Sequence, residues 1–145
     1  DIITLHDYEE FGDVFFNRYN GYKDEILKNS IYHSRHKSAF ANGYSYKGQP
    51  IIISEYGGIA FDNDKEGWGY GDKVDSEEAF IKRFEDITDA IKESPYICGF
   101  CYTQLSDVQQ EVNGLMDIQR NFKVDPKRIC EINKRQIGFW RNDNF

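Results

Sequence analysis

Pro50-Ile51-Ile52-Ile53-Ser54-Glu55-Tyr56-Gly57-Gly58 is the stretch from which the fold is read. Consecutive β-branched isoleucines entered from a proline and left through paired glycines predict a strand over residues 51–54. Working outward, two more short apolar runs flank it. Residues 1–5 (DIITL) close on His6-Asp7-Tyr8, and residues 97–102 (ICGFCY) close on Thr103. Between the runs the periodicity changes to that of helices. An amphipathic stretch rich in Phe and Tyr covers 9–19, with a second piece at 23–28. Asp75 is placed to cap a helix, Glu78 to complete a capping box, and Phe80, Phe84, Ile87 and Ile91 follow at helical spacing. Ser94-Pro95 ends that helix. Asp125-Pro126 opens another, with Ile129, Ile132 and Gln136 or Ile137 facing inward. Apolar strands alternating with helices predict an α/β fold with a parallel sheet and right-handed crossovers.

Size and composition bound the rest. The chain has 145 residues, 39% hydrophobic and 16% aromatic, enough for one core and one domain over 1–145. It is too short for a complete barrel of eight strands and eight helices, for which about 250 residues are typical. With 18 basic against 25 acidic residues the net charge is -7, which argues against nucleic acid or an anionic membrane surface as partner. No apolar run approaches the roughly 20 residues of a membrane span, and no signal-peptide pattern opens the chain. Localisation is not legible. Cys98 and Cys101 fall three apart on what reads as a buried strand, where they point to opposite faces about 10 Å apart. A disulfide needs Cα atoms within about 7 Å. All three cysteines are therefore expected to be packing residues, with neither a metal nor a cofactor implied.

In parallel sheets the ligand lies beyond the carboxyl ends of the strands. The strand ends supply His6, Asp7 and Tyr8, then Glu55 and Tyr56, then Tyr102, Thr103, Gln104 and Asp107. Glu55 stands out, since it leaves the strand directly before Tyr56-Gly57-Gly58, where glycine lets backbone approach a ligand closely. Its plain alternative is a capping or solvated carboxylate. His6 and Asp7 either line the site or hold the strand end together. Glu77, Glu78, Glu85 and Asp86 are expected to form a solvated helix face. The glycine-rich loop over 59–74, carrying Trp68 and Tyr70, is too long and irregular for a tight turn.

Residues 51–58 (IIISEYGG), 98–108 (CGFCYTQLSDV) and 110–114 (QEVNG) resemble, in order, the carboxyl-terminal half of the catalytic barrel of glycoside hydrolase family 2, which contains β-galactosidases, β-glucuronidases and β-mannosidases. The opening DIITLHDYE is similar to the family's sixth barrel strand. The resemblance covers essentially the whole chain and implies a partial (β/α)8 barrel, strands six to eight with their helices. It implies that Glu55 is the nucleophile that forms a covalent glycosyl-enzyme intermediate, and that Tyr8 hydrogen-bonds that nucleophile and holds it ionised. It also implies that Tyr102 forms a wall of the sugar site, where relatives often carry tryptophan. His6 and Trp68 complete the expected substrate-binding set; Trp68 and Tyr70 either line an outer sugar subsite or are solvent-exposed or loop-packing aromatics. The tyrosine-rich blocks lean towards the β-galactosidase-like members.

Retaining glycosidases need two carboxyl groups. The family's acid/base glutamate follows an asparagine at the end of the fourth strand, and no Asn-Glu pair occurs in these 145 residues. Glu9 and Asp107 lie near strand ends but do not match the pattern. The expectation is a fragment of a larger β-glycosidase, silent alone, acting on a carbohydrate when complete and self-associating through raw sheet edges or helix faces. The alternatives are a non-catalytic sugar-binding domain, or a flavodoxin-type module. Against the latter, His6-Asp7-Tyr8-Glu9 lacks the glycine or hydroxyl pattern that cradles phosphate.

Overall fold

The computed structural model describes residues 1–63 and 66–137. Three strands, β1 (Ile3–Asp7), β2 (Ile51–Gly57) and β3 (Ile97–Thr103), form a parallel sheet in the order β1-β2-β3. Four helices accompany it: α1 (Gly12–Gly21), α2 (Lys23–Leu27), α3 (Glu77–Glu93) and α4 (Pro126–Lys134). The α/β class and the parallel sheet agree with the sequence. Residues 138–145 of the expected domain lie outside the described residues. Among the described residues no helix is long and apolar enough to cross a membrane.

The helices pack against one face of the sheet. Leu5, Ile51, Ile53, Tyr56 and Ile97 point into a core with Phe15 and Tyr19 of α1, Ile26 and Leu27 of α2, and Ile87, Ala90 and Ile91 of α3. A second cluster joins Ile59 and Val74 of the glycine-rich loop to Phe80, Ile81 and Phe84 of α3 and Ile129 and Ile132 of α4. The other face of the sheet carries Thr4, His6, Ile52 and Ser54, none of them buried, so the strands are not apolar on both faces.

The cysteine expectation is overturned, because Cys98, Cys101 and Cys130 are all free and exposed. β3 is an edge strand, and its pairing with β2 shifts register between Ile51↔Ile97 and Ile52↔Gly99, leaving Cys98 as the extra residue of a bulge. Such a bulge reverses the alternation beyond it. Phe100 and Tyr102 therefore turn towards the core, and Cys101 turns away from it. Cys130 follows the inward Ile129 on α4 and lies on that helix's outer side.

Helix ends differ in detail from expectation. Ser76, not Asp75, caps α3: its hydroxyl accepts from the Ala79 N–H at 3.3 Å and donates to Asp75 at 2.9 Å. The reach of Glu78 is instead across to α4, where it pairs with both guanidinium nitrogens of Arg128. Glu77 accepts from the Asp125 N–H, and Glu85 pairs with Arg135. The acidic face of α3 is thus exposed but partly paired, with the small stabilisation usual for surface pairs. Asp125 caps α4 as expected, whereas α4 stops at Lys134 and leaves Gln136 exposed.

The stop of α4 has a partner. Lys92, 2% exposed, donates from Nζ to the carbonyls of Ile132, Asn133 and Arg135 at 2.7, 2.9 and 2.9 Å. A cation here both satisfies carbonyls that a helix end leaves open and complements the helix dipole. Lys92→Met keeps the apolar stem and removes the three donors. It is expected to lower stability by about 2 kcal/mol, read as a lower urea midpoint at unchanged slope, and an unchanged midpoint would rule the cap out as a stabilising contact.

His33 is a second buried polar group, 3% exposed, and among the described residues neither ring nitrogen has a hydrogen-bond partner. Burial pushes its imidazole below the ordinary value, with the charge of Asp7 and the nearby backbone of His6 and Lys37 pulling the other way and losing. Neutral His33 is compatible with the fold at full stability above the ordinary imidazole value of about 6.5. As pH falls below that value the unfolded chain takes up the proton first, so stability falls until the lower folded-state value is passed. Urea melts should show a steeper acid-side loss for the wild-type chain than for His33→Leu, and parallel profiles would refute this.

Candidate functional site

Glu55 reaches the open face of the sheet through a break in register. Ile51 and Ile53 are buried, so simple alternation would send residue 55 into the core as well. Instead β1 pairs Leu5 with Ile53 and His6 with Glu55, passing over Ser54, and β3 shifts register over the same residues. The extra residue turns Glu55 towards His6 and Tyr56 into the core. Bulges commonly re-aim a side chain in this way beside active sites. Tyr56 then fills the core, its hydroxyl 2.8 Å from that of Thr88.

A hydroxyl donor and a ring nitrogen converge on one carboxylate oxygen. The Tyr8 hydroxyl donates to Glu55 Oε2 at 2.6 Å, and His6 Nδ1 lies 3.1 Å from the same atom. Glu55 and His6 are each about two-fifths exposed, at 40% and 41% of the side chain, so the carboxylate is held yet open to a ligand. Burial first, and donation to Glu55 second, push the Tyr8 phenol well above the ordinary tyrosine range, with the Thr103 hydroxyl acting in the opposite sense. Tyr8 therefore stays protonated, and a protonated phenol is a donor that favours the charged form of its acceptor.

Asp7, by contrast, belongs to the scaffold. It is 1% exposed and accepts from Arg18 Nη1 at 2.7 Å, from the Tyr19 hydroxyl at 3.1 Å, from the Ser34 hydroxyl at 3.2 Å and from the Glu9 N–H at 3.1 Å. The second nitrogen of Arg18 donates to Glu9 Oε2 at 2.6 Å. Of the two alternatives for this pair, Asp7 holds the strand end together and His6 touches Glu55. The network also occupies Glu9, and Asp107 is occupied by Lys123 at 2.9 Å and by the Gly114 N–H at 2.8 Å. Neither of these strand-end carboxylates touches Glu55 among the described residues.

The aromatic residues divide between the two sides of the sheet. Tyr70 stacks on Tyr8 with ring centres 3.4 Å apart and planes 7° from parallel, and Trp68, 47% exposed, meets Tyr70 edge-on at 5.6 Å. A continuous aromatic row thus runs outward from the residue that holds Glu55. Trp68 is fixed there by its neighbour loop, donating its N–H to Gln110 and accepting from that of Val112. Tyr102 lies on the core side. Its ring packs against Tyr56 and Phe84, and its hydroxyl accepts from the Ile59 N–H and donates to the Asn113 carbonyl, both at 3.1 Å. Gly57, at φ +83°, exists as glycine because a Cβ would lie 2.3 Å from the Tyr102 ring. The structure therefore brings Glu55, Tyr8, His6 and the Tyr70–Trp68 row together and sets Tyr102 behind them.

Sequence reasoning did not find Arg18, Ser34 or the stacking of Tyr70. Arg18 had a signal, a single basic residue beside the inward Tyr19 on a helix otherwise lined with Phe and Tyr, downstream of an acidic strand end. Ser34 and Tyr70 had none, because nothing in a loop sequence specifies which strand end it folds back upon. Among the described residues no group of three or more His, Cys, Asp or Glu is arranged to hold a metal ion.

No protein-family model matches the chain, and no curated protein matches it. Two bacterial enzymes of known structure align with part of the chain. A β-glucuronidase of Bacteroides uniformis aligns with a TM-score of 0.53 and 20% identity over 85% of this chain and 14% of that one. A β-glucuronidase of Bifidobacterium dentium, solved with coumarin-3-O-glucuronide, aligns with a TM-score of 0.45 and 16% identity over 64% of this chain and 16% of that one. The chain thus spans a small part of the length of both enzymes, and at 20% identity the likeness to the Bacteroides uniformis enzyme is one of fold: a parallel α/β arrangement similar to a segment of that β-glucuronidase.

Proposed function

We propose that this chain supplies the nucleophile side of the active site of a retaining β-glycosidase, as strands six to eight of a (β/α)8 barrel completed by a longer protein. The observation that carries the proposal is the Tyr8 hydroxyl donating at 2.6 Å to Glu55, a carboxylate turned by a bulge onto the open face at the carboxyl end of a parallel sheet. Ligands of such sheets bind at that end. The fold likeness to a β-glucuronidase and the ordered sequence blocks of glycoside hydrolase family 2 both favour a glycosidase, and the tyrosine-rich blocks favour a β-galactosidase-like substrate.

The chemistry follows from the two oxygens of Glu55. Oε2 is occupied by Tyr8 and His6, while among the described residues Oε1 takes no hydrogen bond. Oε1 attacks the anomeric carbon as the bond to the leaving oxygen breaks, and a carboxylic acid from outside the described residues protonates that oxygen. Water, deprotonated by the same second carboxylate, then cleaves the glycosyl ester and restores Glu55. Tyr8 and His6 keep the nucleophile ionised and oriented. Trp68 offers a flat apolar surface to an outer sugar or aglycone ring, and Tyr102 supports the site from behind by fixing the Ile59 and Asn113 backbones.

Since a second carboxylate is required, the chain alone is expected to give no turnover of an activated aryl β-glycoside, and turnover abolished by Glu55→Gln would overturn its silence. In the longer protein, a 2-deoxy-2-fluoro aryl β-glycoside should leave its sugar esterified to Glu55. Peptide mapping that finds the label on another residue, or finds sugar binding with no label, would reject the nucleophile assignment.

We further propose that the two open strand edges and the helix-free face drive self-association of the isolated chain. Unpaired strand backbone is a template for another strand. Sedimentation should show mass increasing with concentration, and a monomer at every concentration would exclude it.

A further inference from the structure

We infer that Tyr70 is a positioning residue for Glu55: its ring, seated in the slot left open by Gly58, clamps the ring of Tyr8 so that the Tyr8 hydroxyl stays on the carboxylate. The inference rests on the proposed role of Glu55 and adds to it a control exerted by the loop that follows β2.

The slot is set by backbone. Gly58 has φ +62°, and a Cβ there would lie 2.4 Å from the Tyr70 ring and 3.1 Å from that of Tyr8, so both rings occupy space that only glycine leaves. The Tyr70 N–H donates to the Gly58 carbonyl at 2.8 Å, which holds the ring at this depth. Gly69 brings the same strap close, since its Cβ would lie 2.6 Å from that of Ala60 and 2.7 Å from the Gly58 carbonyl oxygen. The strap is fastened at both ends. On one side Trp68 exchanges backbone hydrogen bonds with Gln110 and Val112. On the other, Glu10 accepts from the Asp72 N–H at 2.9 Å and pairs with Arg83 at 3.3 Å, and Gly71 lies against its carboxylate.

Free aromatic rings prefer offset or edge-on contact to a face-to-face stack, so the 3.4 Å parallel arrangement is imposed by this fastening. Its effect is to remove rotation of Tyr8. The residue follows β1 directly and is only half-buried; without a ring on its face it has other staggered positions that lift the hydroxyl from Glu55. Tyr70 itself makes no hydrogen bond to Glu55 among the described residues, so any influence on the carboxylate passes through Tyr8.

That indirectness is testable by titrating the Glu55 carboxyl in the full 145-residue chain, labelled with 13C at the glutamate side-chain carboxyls and assigned with Glu55→Gln. Losing a donor to the charged form raises a carboxyl pKa. Tyr8→Phe should therefore raise the midpoint, and Tyr70→Leu should raise it by at least half as much. Tyr70→Phe, which keeps the ring and removes only the hydroxyl that also faces that of Tyr8, should raise it by clearly less than Tyr70→Leu. In the Tyr8→Phe background Tyr70→Leu should add nothing. His6, the other side chain on Oε2, is common to all variants, whereas Thr103 faces the Tyr8 hydroxyl and loses that contact in Tyr8→Phe alone. An unchanged midpoint in Tyr70→Leu, a shift in Tyr70→Phe equal to that in Tyr70→Leu, or a shift that persists without the Tyr8 hydroxyl would each overturn the inference. Should Tyr70→Leu fail to fold, the wild-type chain decides: the Tyr8 ring should flip slowly on the NMR timescale, and rapid flipping would overturn the clamp. A sugar label found away from Glu55 would remove the nucleophile role and leave this coupling intact, whereas a label on Glu55 with no coupling would remove only the clamp.

Discussion

A buried carboxylate that must be neutralised organises the amino-terminal half of the protein. Asp7 ends β1 in the core, where an unpaired charge would cost several kcal/mol, and every nearby element contributes to satisfying it. Arg18 and Tyr19 fix the azimuth of α1, Ser34 fixes the long connection to β2, and Glu9 shares Arg18 while accepting from the N–H groups of Glu10 and Phe11 ahead of α1. The bond from the Glu9 N–H to Asp7 places the backbone of residues 7–9, and Tyr8 leaves it towards Glu55. Asp7 thus acts on Glu55 at one remove, without touching it. This also explains the division of labour between adjacent residues: Asp7 is spent on structure, and its neighbours on either side, His6 and Tyr8, face the open side of the sheet.

Much of this was legible in the sequence, and what was not has a common cause. The isoleucine run, the Ser94-Pro95 stop, the Asp125-Pro126 start and the inward stripe of α3 follow from local propensity and period, and the structure carries all of them. Strand ends were also legible, and Glu55, Tyr8 and His6 meet at two of them. Face was harder. Strict alternation puts Glu55 with Ile53 and Cys101 with Ile97, and in both cases a bulge reverses the parity. A bulge is decided by what lies across the sheet, so Ser54 and Cys98 give no local sign of it. The same limit applies to Tyr102, whose ring turns to the core side against Tyr56 and Phe84. Loop contacts such as that of Tyr70 with Tyr8 depend on the path of the whole connection and are invisible to any window of sequence.

The glycines after β2 show how closely site and scaffold are joined. Gly57 admits the Tyr102 ring on the core side, and Gly58 admits the Tyr8–Tyr70 stack on the open side. Successive residues at positive φ therefore let two aromatic groups approach the strand from opposite directions at the point where Glu55 emerges. The carboxylate is fixed from the side by hydrogen bonding and from behind by packing, at the carboxyl end of the central strand of a small sheet.

Tyr102 carries a further consequence for how such a protein can change over time. Its hydroxyl fastens the loop after β2 at Ile59 and the loop after β3 at Asn113, and Trp68 ties the same two loops again at Gln110 and Val112. Lengthening or re-routing one loop would break its ties to the other. The two loops are therefore free to diversify only in concert, and variation around Glu55 should come in paired loop changes.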